Sequence, residues 1–215
     1  MLLDALRWIA AHPGTFLAAL KEHLLMSATA LGLAILTAVP LGVALAHHPR
    51  AAFLTINGAS ALRTVPSLAV LAVMLPILGI GFAPSVVALL LLAFPPILLL
   101  AYVGVREVDA DVIDAATGMG MSKAEIVRKV ELPLAAPAIF AGIRTSAVQV
   151  IAGATLASFI GGGGLGDFIT AGIAIMDMPR LLVGAVPIAM LAVGTELLFG
   201  GLERLLFGAH RKVEP

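Results

Sequence analysis

The chain has 215 residues, of which 60% are hydrophobic and only 12% are charged, and its formal net charge is zero. Soluble domains carry about 25% charged residues, so most of this chain is expected to face lipid or other membrane helices rather than water. The zero net charge argues against a nucleic-acid partner. The absence of cysteine excludes disulfides, thiolate nucleophiles and cysteine-ligated metal sites.

Five apolar stretches are long enough to cross a bilayer, which takes about 20 mostly apolar residues per helix. They cover residues 24–46, 53–78, 85–105, 136–160 and 181–199. None of them shows the alternation of apolar and polar residues that a membrane β-barrel strand requires. We therefore predict an all-α, multi-pass membrane protein with about five transmembrane helices.

The N-terminal segment, residues 1–22, differs from these stretches because it mixes apolar and charged residues. Its apolar residues are interrupted near His12-Pro13-Gly14, where the proline disfavours a continuous helix. Four charged residues argue against burial in lipid: Asp4, Arg7, Lys21 and Glu22. We predict an interfacial helix here, with a short extra span as the alternative, and assign residues 23–208 to the transmembrane domain.

The loops predict the orientation, because Lys and Arg accumulate on the cytoplasmic side of membrane proteins. With the N-terminus outside, the cytoplasmic side holds eight such residues: Arg50, Arg106, Lys123, Arg128, Lys129, Arg204, Arg211 and Lys212. The outer side then holds three: Arg7, Lys21 and Arg180. Arg63 and Arg144 are placed near the inner ends of their helices. We therefore predict an outer N-terminus, a main cytoplasmic loop at 106–133 and a cytoplasmic tail at 209–215.

The cytoplasmic loop contains two predicted short helices joined by a glycine turn. Residues 108–117 are predicted to form the first, with Val112, Ala115 and Ala116 as a contact face. Gly118 and Gly120 then allow a sharp turn, and Ser122 with Glu125 has the spacing of a capping box for the second helix. Pro133 and Pro137 mark the entry into the next span. Such a pair of helices forms a compact docking surface, although a hairpin that merely solvates the loop is the alternative.

The loop resembles the one shared by permeases of binding-protein-dependent ABC importers. That loop has Glu-Ala-Ala, a glycine four residues later, a nine-residue gap and then Ile-x-Leu-Pro. This sequence has Asp114-Ala115-Ala116, Gly120 and Val130-Glu131-Leu132-Pro133 at the same spacing, with Asp in place of Glu and Val in place of Ile. The resemblance implies a multi-pass permease of the bacterial cytoplasmic (inner) membrane.

The same resemblance implies the partners and the surface that one of them contacts. Separate ABC ATPase subunits would bind ATP and Mg, so that this chain needs no catalytic residue, cofactor or metal of its own. An extracytoplasmic substrate-binding protein would deliver the solute, and a second permease subunit, identical or related, would complete the path. The ATPase-coupling residues implied here are Asp114, Ala115, Ala116, Gly118, Gly120, Val130, Leu132 and Pro133.

A glycine-rich segment lies between the fourth and fifth spans. Residues 161–166 fit the dinucleotide pattern G-x-G-x-x-G, but no strand precedes them, so we reject that function. We predict a tight or re-entrant turn at the outer face instead, formed by Gly161, Gly163, Gly164, Gly166 and Asp167. The chain has no G-x-x-x-x-G-K-[ST] loop, which argues against ATP hydrolysis by this chain. The five histidines show no ligand spacing, and no metal site is predicted.

Polar residues within the spans are candidates for the translocation path, because they are costly at membrane depth. We expect Arg63, Arg144 and Glu196 to face the bundle interior or the inner interface. The candidate path residues are Arg63, Ser67, Thr145, Gln149 and Thr155, with Thr145 and Gln149 on one helix face. The alternative is that they make hydrogen bonds between helices.

Several further segments indicate a branch of the permease family. They are Arg63-Thr-Val-Pro-Ser-Leu, Gly79-Ile-Gly-Phe-Ala-Pro, Gly118-Met-Gly-Met-Ser, Val130-Glu-Leu-Pro-Leu and residues 161–167. Together they look most like permeases for quaternary-ammonium osmoprotectants such as glycine betaine, carnitine and choline. A methionine permease is the nearest alternative. A secondary transporter or a structural membrane scaffold would be alternatives from other classes, although secondary transporters are usually longer and carry inverted repeats.

Overall fold

The computed structural model describes residues 1–48 and 51–208, and every regular element in that part of the chain is helical. The helices are α1 (Leu2–Ala11), α2 (Pro13–Ala46), α3 (Ala51–Thr64), α4 (Ser67–Leu78), α5 (Phe82–Arg106), α6 (Ala110–Gly118), α7 (Lys123–Ile126), α8 (Leu132–Gly153), α9 (Gly166–Ala174) and α10 (Met178–Phe207). A π turn, Val127–Glu131, joins α7 to α8, and a 3-10 turn, Ala154–Ile160, follows α8. The predicted tail, 209–215, and Arg50 lie outside the described residues.

The described helices confirm an all-α architecture with four or five membrane spans. Four helical stretches are long and apolar enough to cross a bilayer: Pro13–Ala46, Phe82–Arg106, Lys123–Ile160 and Met178–Phe207. The stretch predicted as the second span forms α3 and α4, a bent pair that makes a fifth crossing when it is counted as one span. The 12-residue α4 rises only about 18 Å, which is less than the roughly 30 Å hydrocarbon core. Neither half of this pair is therefore long enough to cross alone.

The second span departs from the sequence prediction, which made 53–78 one continuous helix. The chain breaks at Val65 and Pro66, and the two halves meet at 89°. Pro66 has an extended ψ of 127°. Proline lacks the N–H that would continue the helical ladder, and its ring disfavours helical geometry in the preceding residue. The stretch predicted as the second span is therefore a pair of helices broken at Pro66.

The N-terminus also departs from the prediction, since residue 22 is not a boundary between helices. Helix α2 begins at Pro13 and continues for 34 residues, a length of about 51 Å. Residues 13–22 thus extend the first span. The separate N-terminal helix is α1, whose Trp8 ring packs edge-on against Phe168 of α9 with 5.1 Å between centroids.

Small residues bring α2, α5 and α8 close together. Three fully buried alanines lie one turn apart on α2: Ala30, Ala34 and Ala38. A Cβ at Gly42 would come within 2.7 Å of the carbonyl oxygen of Leu98 on α5. On α8, a Cβ at Gly142 would come within 3.0 Å of the carbonyl oxygen of Pro96. Membrane helices associate largely through such close packing, because lipid tails are as apolar as the side chains themselves.

Replacing Gly42 with alanine tests this packing. The new methyl group would overlap backbone atoms of α5, which no side-chain rotation can relieve, so we expect a destabilisation of about 1–3 kcal/mol. The measurement is the thermal unfolding midpoint of the purified protein in detergent. The matched control is Gly32→Ala on the same helix, where a Cβ would meet nothing within 4 Å. Equal midpoints for the two variants would contradict the packing assignment.

Candidate functional site

The first half of the loop at 106–133 folds as the sequence predicts, with a small shift in its ends. Helix α6 starts after Asp109, whose side chain accepts a hydrogen bond from the backbone N–H of Asp111 at 2.9 Å. After the helix, Gly120 adopts a positive φ of 82°, and its N–H donates to the carbonyl of Thr117 at 2.9 Å. Gly118 is still the last residue of α6. The sharp turn therefore requires a glycine at 120 but not at 118.

The second half confirms the predicted capping box. The Ser122 hydroxyl accepts from the backbone N–H of Glu125 at 3.4 Å, and the Glu125 carboxylate accepts from the N–H of Ser122 at 3.1 Å. The helix that begins here does not end before the membrane, because α7 passes through the π turn directly into α8. Pro133, which lacks an N–H, lies in the first turn of α8, next to this widened turn. The fourth span therefore starts inside the loop at Lys123.

The predicted contact face of the loop is divided between two environments. Ala116 is buried within the protein, at 2% exposure, so the expectation that it offers a contact surface is wrong. Val112, Asp114 and Ala115 remain exposed. The sequence did not single out Met119, which is 76% exposed at the tip of the glycine turn. The available signal was a methionine beside small residues in a polar loop, since Met is common at adaptable binding surfaces.

A contact that the sequence did not reveal ties the loop to the first span. The His47 ring Nε2 lies 2.8 Å from a carboxylate oxygen of Glu131, which is 8% exposed within the π turn. The other ring nitrogen, Nδ1, is 2.8 Å from the carbonyl oxygen of Val43. A carbonyl can only accept, so Nδ1 is the donor in the contact with Val43. The end of α2 is thereby fixed to the loop.

A second polar cluster connects α8 to α10. Arg144 donates through Nε to Glu196 at 3.1 Å and through a terminal nitrogen to Glu203 at 2.6 Å. The two carboxylates neutralise the guanidinium, which satisfies the requirement that charges in membrane helices be paired or face the protein. Arg144 and Glu196, which were expected at the bundle interior or the inner interface, thus join two helices, and Glu203 is the partner that the sequence did not indicate.

A cavity of about 230 Å³ lies where the end of α3 meets α4, α5 and α8. It is lined by Leu62, Arg63, Val65, Val70, Ala88, Leu91, Leu92, Pro95 and Gln149. Pro95 is near the middle of α5, so the cavity lies near the middle of the bundle. Arg63, at the C-terminal end of α3, therefore lies nearer the middle of the bundle than the inner helix end at which it was expected. The structure thus brings together two predicted path residues, Arg63 and Gln149.

The other predicted path residues occupy different positions. Thr145 is exposed one turn from Gln149, and its hydroxyl donates to the carbonyl of Ala141 at 2.9 Å. Thr155 belongs to the 3-10 turn and does not line the cavity. Ser67 begins α4, and its side chain lies outside the described part of the structure. The interhelical hydrogen bond in this region comes from Ser146, which donates to the carbonyl of Ala93 at 2.7 Å.

The glycine-rich segment forms a tight turn between the 3-10 turn and α9. Gly161, Gly163 and Gly164 all have positive φ values. The N–H of Gly164 donates to the carboxylate of Glu22 on α2 at 3.2 Å, and a Cβ at Gly163 would overlap that carboxylate. The pKa of Asp167 is raised by partial burial and by the negative charge of Glu22. This segment therefore packs directly against α2.

Comparison with known proteins places this architecture among transport proteins. The family model for the binding-protein-dependent transport system inner membrane component matches residues 38–207. The choline transport system permease protein OpuBB of Bacillus subtilis is 44% identical over 200 residues, which cover 93% of this chain and 92% of that protein. The glycine betaine/carnitine/choline transport system permease protein OpuCB of Bacillus subtilis is 44% identical over 183 residues, with 85% and 84% covered.

A solved structure shows the same fold. An inward-facing conformation of the MetNI methionine ABC transporter superposes with a TM-score of 0.81 over 91% of this chain and 98% of that chain. The sequence identity of the pair is 21%, so the likeness establishes the helical arrangement alone.

The glycine turn of the loop can be tested with a pair of neighbouring substitutions. Gly120→Ala places a Cβ on a backbone with positive φ, which costs about 1–2 kcal/mol, so we expect faster hydrogen exchange in the loop. Gly118→Ala is the matched control, because Gly118 is helical and its Cβ would also meet nothing within 4 Å. The measurement is amide hydrogen exchange of residues 110–126. Equal exchange in both variants would show that the turn does not depend on the backbone of Gly120.

Proposed function

Because the chain belongs to the family of binding-protein-dependent transport system inner membrane components, we propose that it is the permease subunit of an ATP-driven importer of quaternary-ammonium osmoprotectants. The observation that carries the choice of solute is the 44% identity to a choline permease over 93% of the chain. Glycine betaine, carnitine and choline are the proposed cargo. The methionine alternative has only a fold likeness at 21% identity in its support.

We propose that the cytoplasmic loop is the docking surface of an ABC ATPase that binds ATP and Mg. Asp114 and Ala115 are exposed beside Met119, and methionine is enriched at protein interfaces. Gly120, Val130, Leu132 and Pro133 would shape the surface. A substrate-binding protein and a second permease subunit complete the proposed importer, with the N-terminus outside and the C-terminus inside.

The path from the loop to the cavity suggests how the ATPase would act on the solute. Helical structure runs without interruption from Lys123 to Ile160, a stretch of 38 residues. This stretch includes the second half of the proposed docking region, with Val130, Leu132 and Pro133, and Gln149 in the cavity wall. Movement of the loop when the ATPase closes would therefore be transmitted to the cavity. Coupling requires only that ATP bind one of the two conformations of the complex better than the other.

A bulky charge on the exposed face of α6 tests the docking surface. We expect Ala115→Arg to lower ATP-dependent uptake in proteoliposomes by about tenfold or more, as substitutions at a packed interface centre do. The matched control is Ala110→Arg, which is also exposed on α6 but lies about 140° around the helix. Normal uptake by the Ala115 variant, or equal losses in both, would contradict the docking assignment.

The cargo can be tested through the ATPase. We expect glycine betaine, carnitine or choline to stimulate ATP hydrolysis by the reconstituted complex, and only when the cognate binding protein is present. Methionine serves as the comparison solute. Stimulation by methionine without any response to the quaternary-ammonium solutes would move the chain to the alternative branch.

A further inference from the structure

Resting on the proposed function, we propose that Arg63 selects among the osmoprotectants by favouring solutes that carry a carboxylate. Glycine betaine and carnitine have a carboxylate as well as a quaternary ammonium group, whereas choline is a cation with a hydroxyl. The positive charge of Arg63 in the cavity wall would attract the first two and repel the third.

Helix α3 carries a stripe of polar residues for which lipid is a poor environment. Asn57, Ser60 and Thr64 are all exposed, and they lie three and four residues apart on one face. Each of them bonds only within its own helix, to the carbonyls of Phe53, Ile56 and Ala61 at 2.7–2.8 Å. Polar groups in membrane helices usually face protein or a water-filled path. This face of α3 is therefore assigned to the path or to its border with the second subunit.

Arg63 lies beside that stripe on α3. The opposite face of α3, with Thr55 and Ala59, is buried in the bundle. Arg63 lies between the two faces and lines the cavity together with Gln149 and Pro95. Arg63 as a residue is exposed rather than buried in the bundle. It therefore borders both the stripe and the cavity.

The charge of Arg63 is not compensated by any acidic residue that the structure describes. Arg144, in the same bundle, is neutralised by two carboxylates. In contrast, no carboxylate of the described residues lies within ion-pair distance of Arg63. An unneutralised guanidinium keeps its full charge available to a solute that enters the cavity. The wall that a solute meets in this cavity is thus positive.

The polar groups of the cavity wall suit a solute that carries a carboxylate. A guanidinium presents paired N–H donors that match a carboxylate, and the Gln149 side chain adds an amide that makes no hydrogen bond within the described structure. The nine lining residues include no aromatic ring, so the cavity lacks the cation–π contacts that would hold a bare quaternary ammonium group. The described wall therefore fits a zwitterion better than choline.

The test compares glycine betaine with choline in proteoliposomes that contain the permease, its ATPase and its binding protein. Uptake rates are measured with the binding protein saturated by each solute, so that its own selectivity does not enter the ratio. We expect Arg63→Gln to lower the ratio of glycine betaine to choline uptake by about tenfold, since one charge–charge contact is lost. Arg63→Lys, which keeps the charge, is expected to retain most of the ratio.

Several results would overturn the inference. An unchanged ratio in Arg63→Gln, or equal losses for both solutes with recovery in Arg63→Lys, would mean that Arg63 pairs with lipid phosphate or with an acid of the second subunit instead. A Gln149→Leu variant that alone alters the ratio would place the selection elsewhere in the cavity. A wild-type complex that moves neither solute would overturn the proposed function itself, and this inference with it.

Discussion

The close approach of three helix backbones is the constraint on which the rest of the structure depends. Gly42 and Gly142 let α2 and α8 touch the backbone of α5 on two sides, and the alanine stripe of α2 fills the remaining contact without bulky side chains. Since lipid competes equally well for apolar side chains, such contacts hold only where the surfaces fit closely. The three helices therefore form a rigid centre, and α3 and α4 are left at its edge with one face uncovered.

That arrangement explains why two arginines in similar apolar surroundings differ. Arg144 lies where α8 faces α10, and α10 provides two glutamates within reach. Arg63 lies on the helix pair at the edge, where the described chain provides none. The first arginine joins two helices, whereas the second keeps its charge available to whatever enters the cavity. In the proposed importer, the edge position of α3 is thus what makes a polar, charged wall possible.

The sequence predicted the features that depend on local chemistry. Span positions follow from hydropathy, the capping box follows from Ser122 and Glu125, and the glycine turn follows from Gly120. The break in the second span also had a local signal in Pro66, but the continuous apolar pattern on both sides outweighed it. The contacts of Arg144 with Glu196 and of His47 with Glu131 join residues 52 and 84 positions apart. No pattern along the chain indicates such pairs, because they depend on how the helices pack.

The attachment of the loop limits which parts of the molecule could move when the proposed ATPase acts. The loop continues into α8 through the π turn, and His47 fixes it to α2 through Glu131. Both of these helices pack against α5 through backbone contacts, so a displaced loop would carry the rigid centre as one body. Relative motion would then have to occur where packing is lighter, at the broken span around Pro66. Because Arg63 and Val65 adjoin that break, we expect the cavity wall to change shape there.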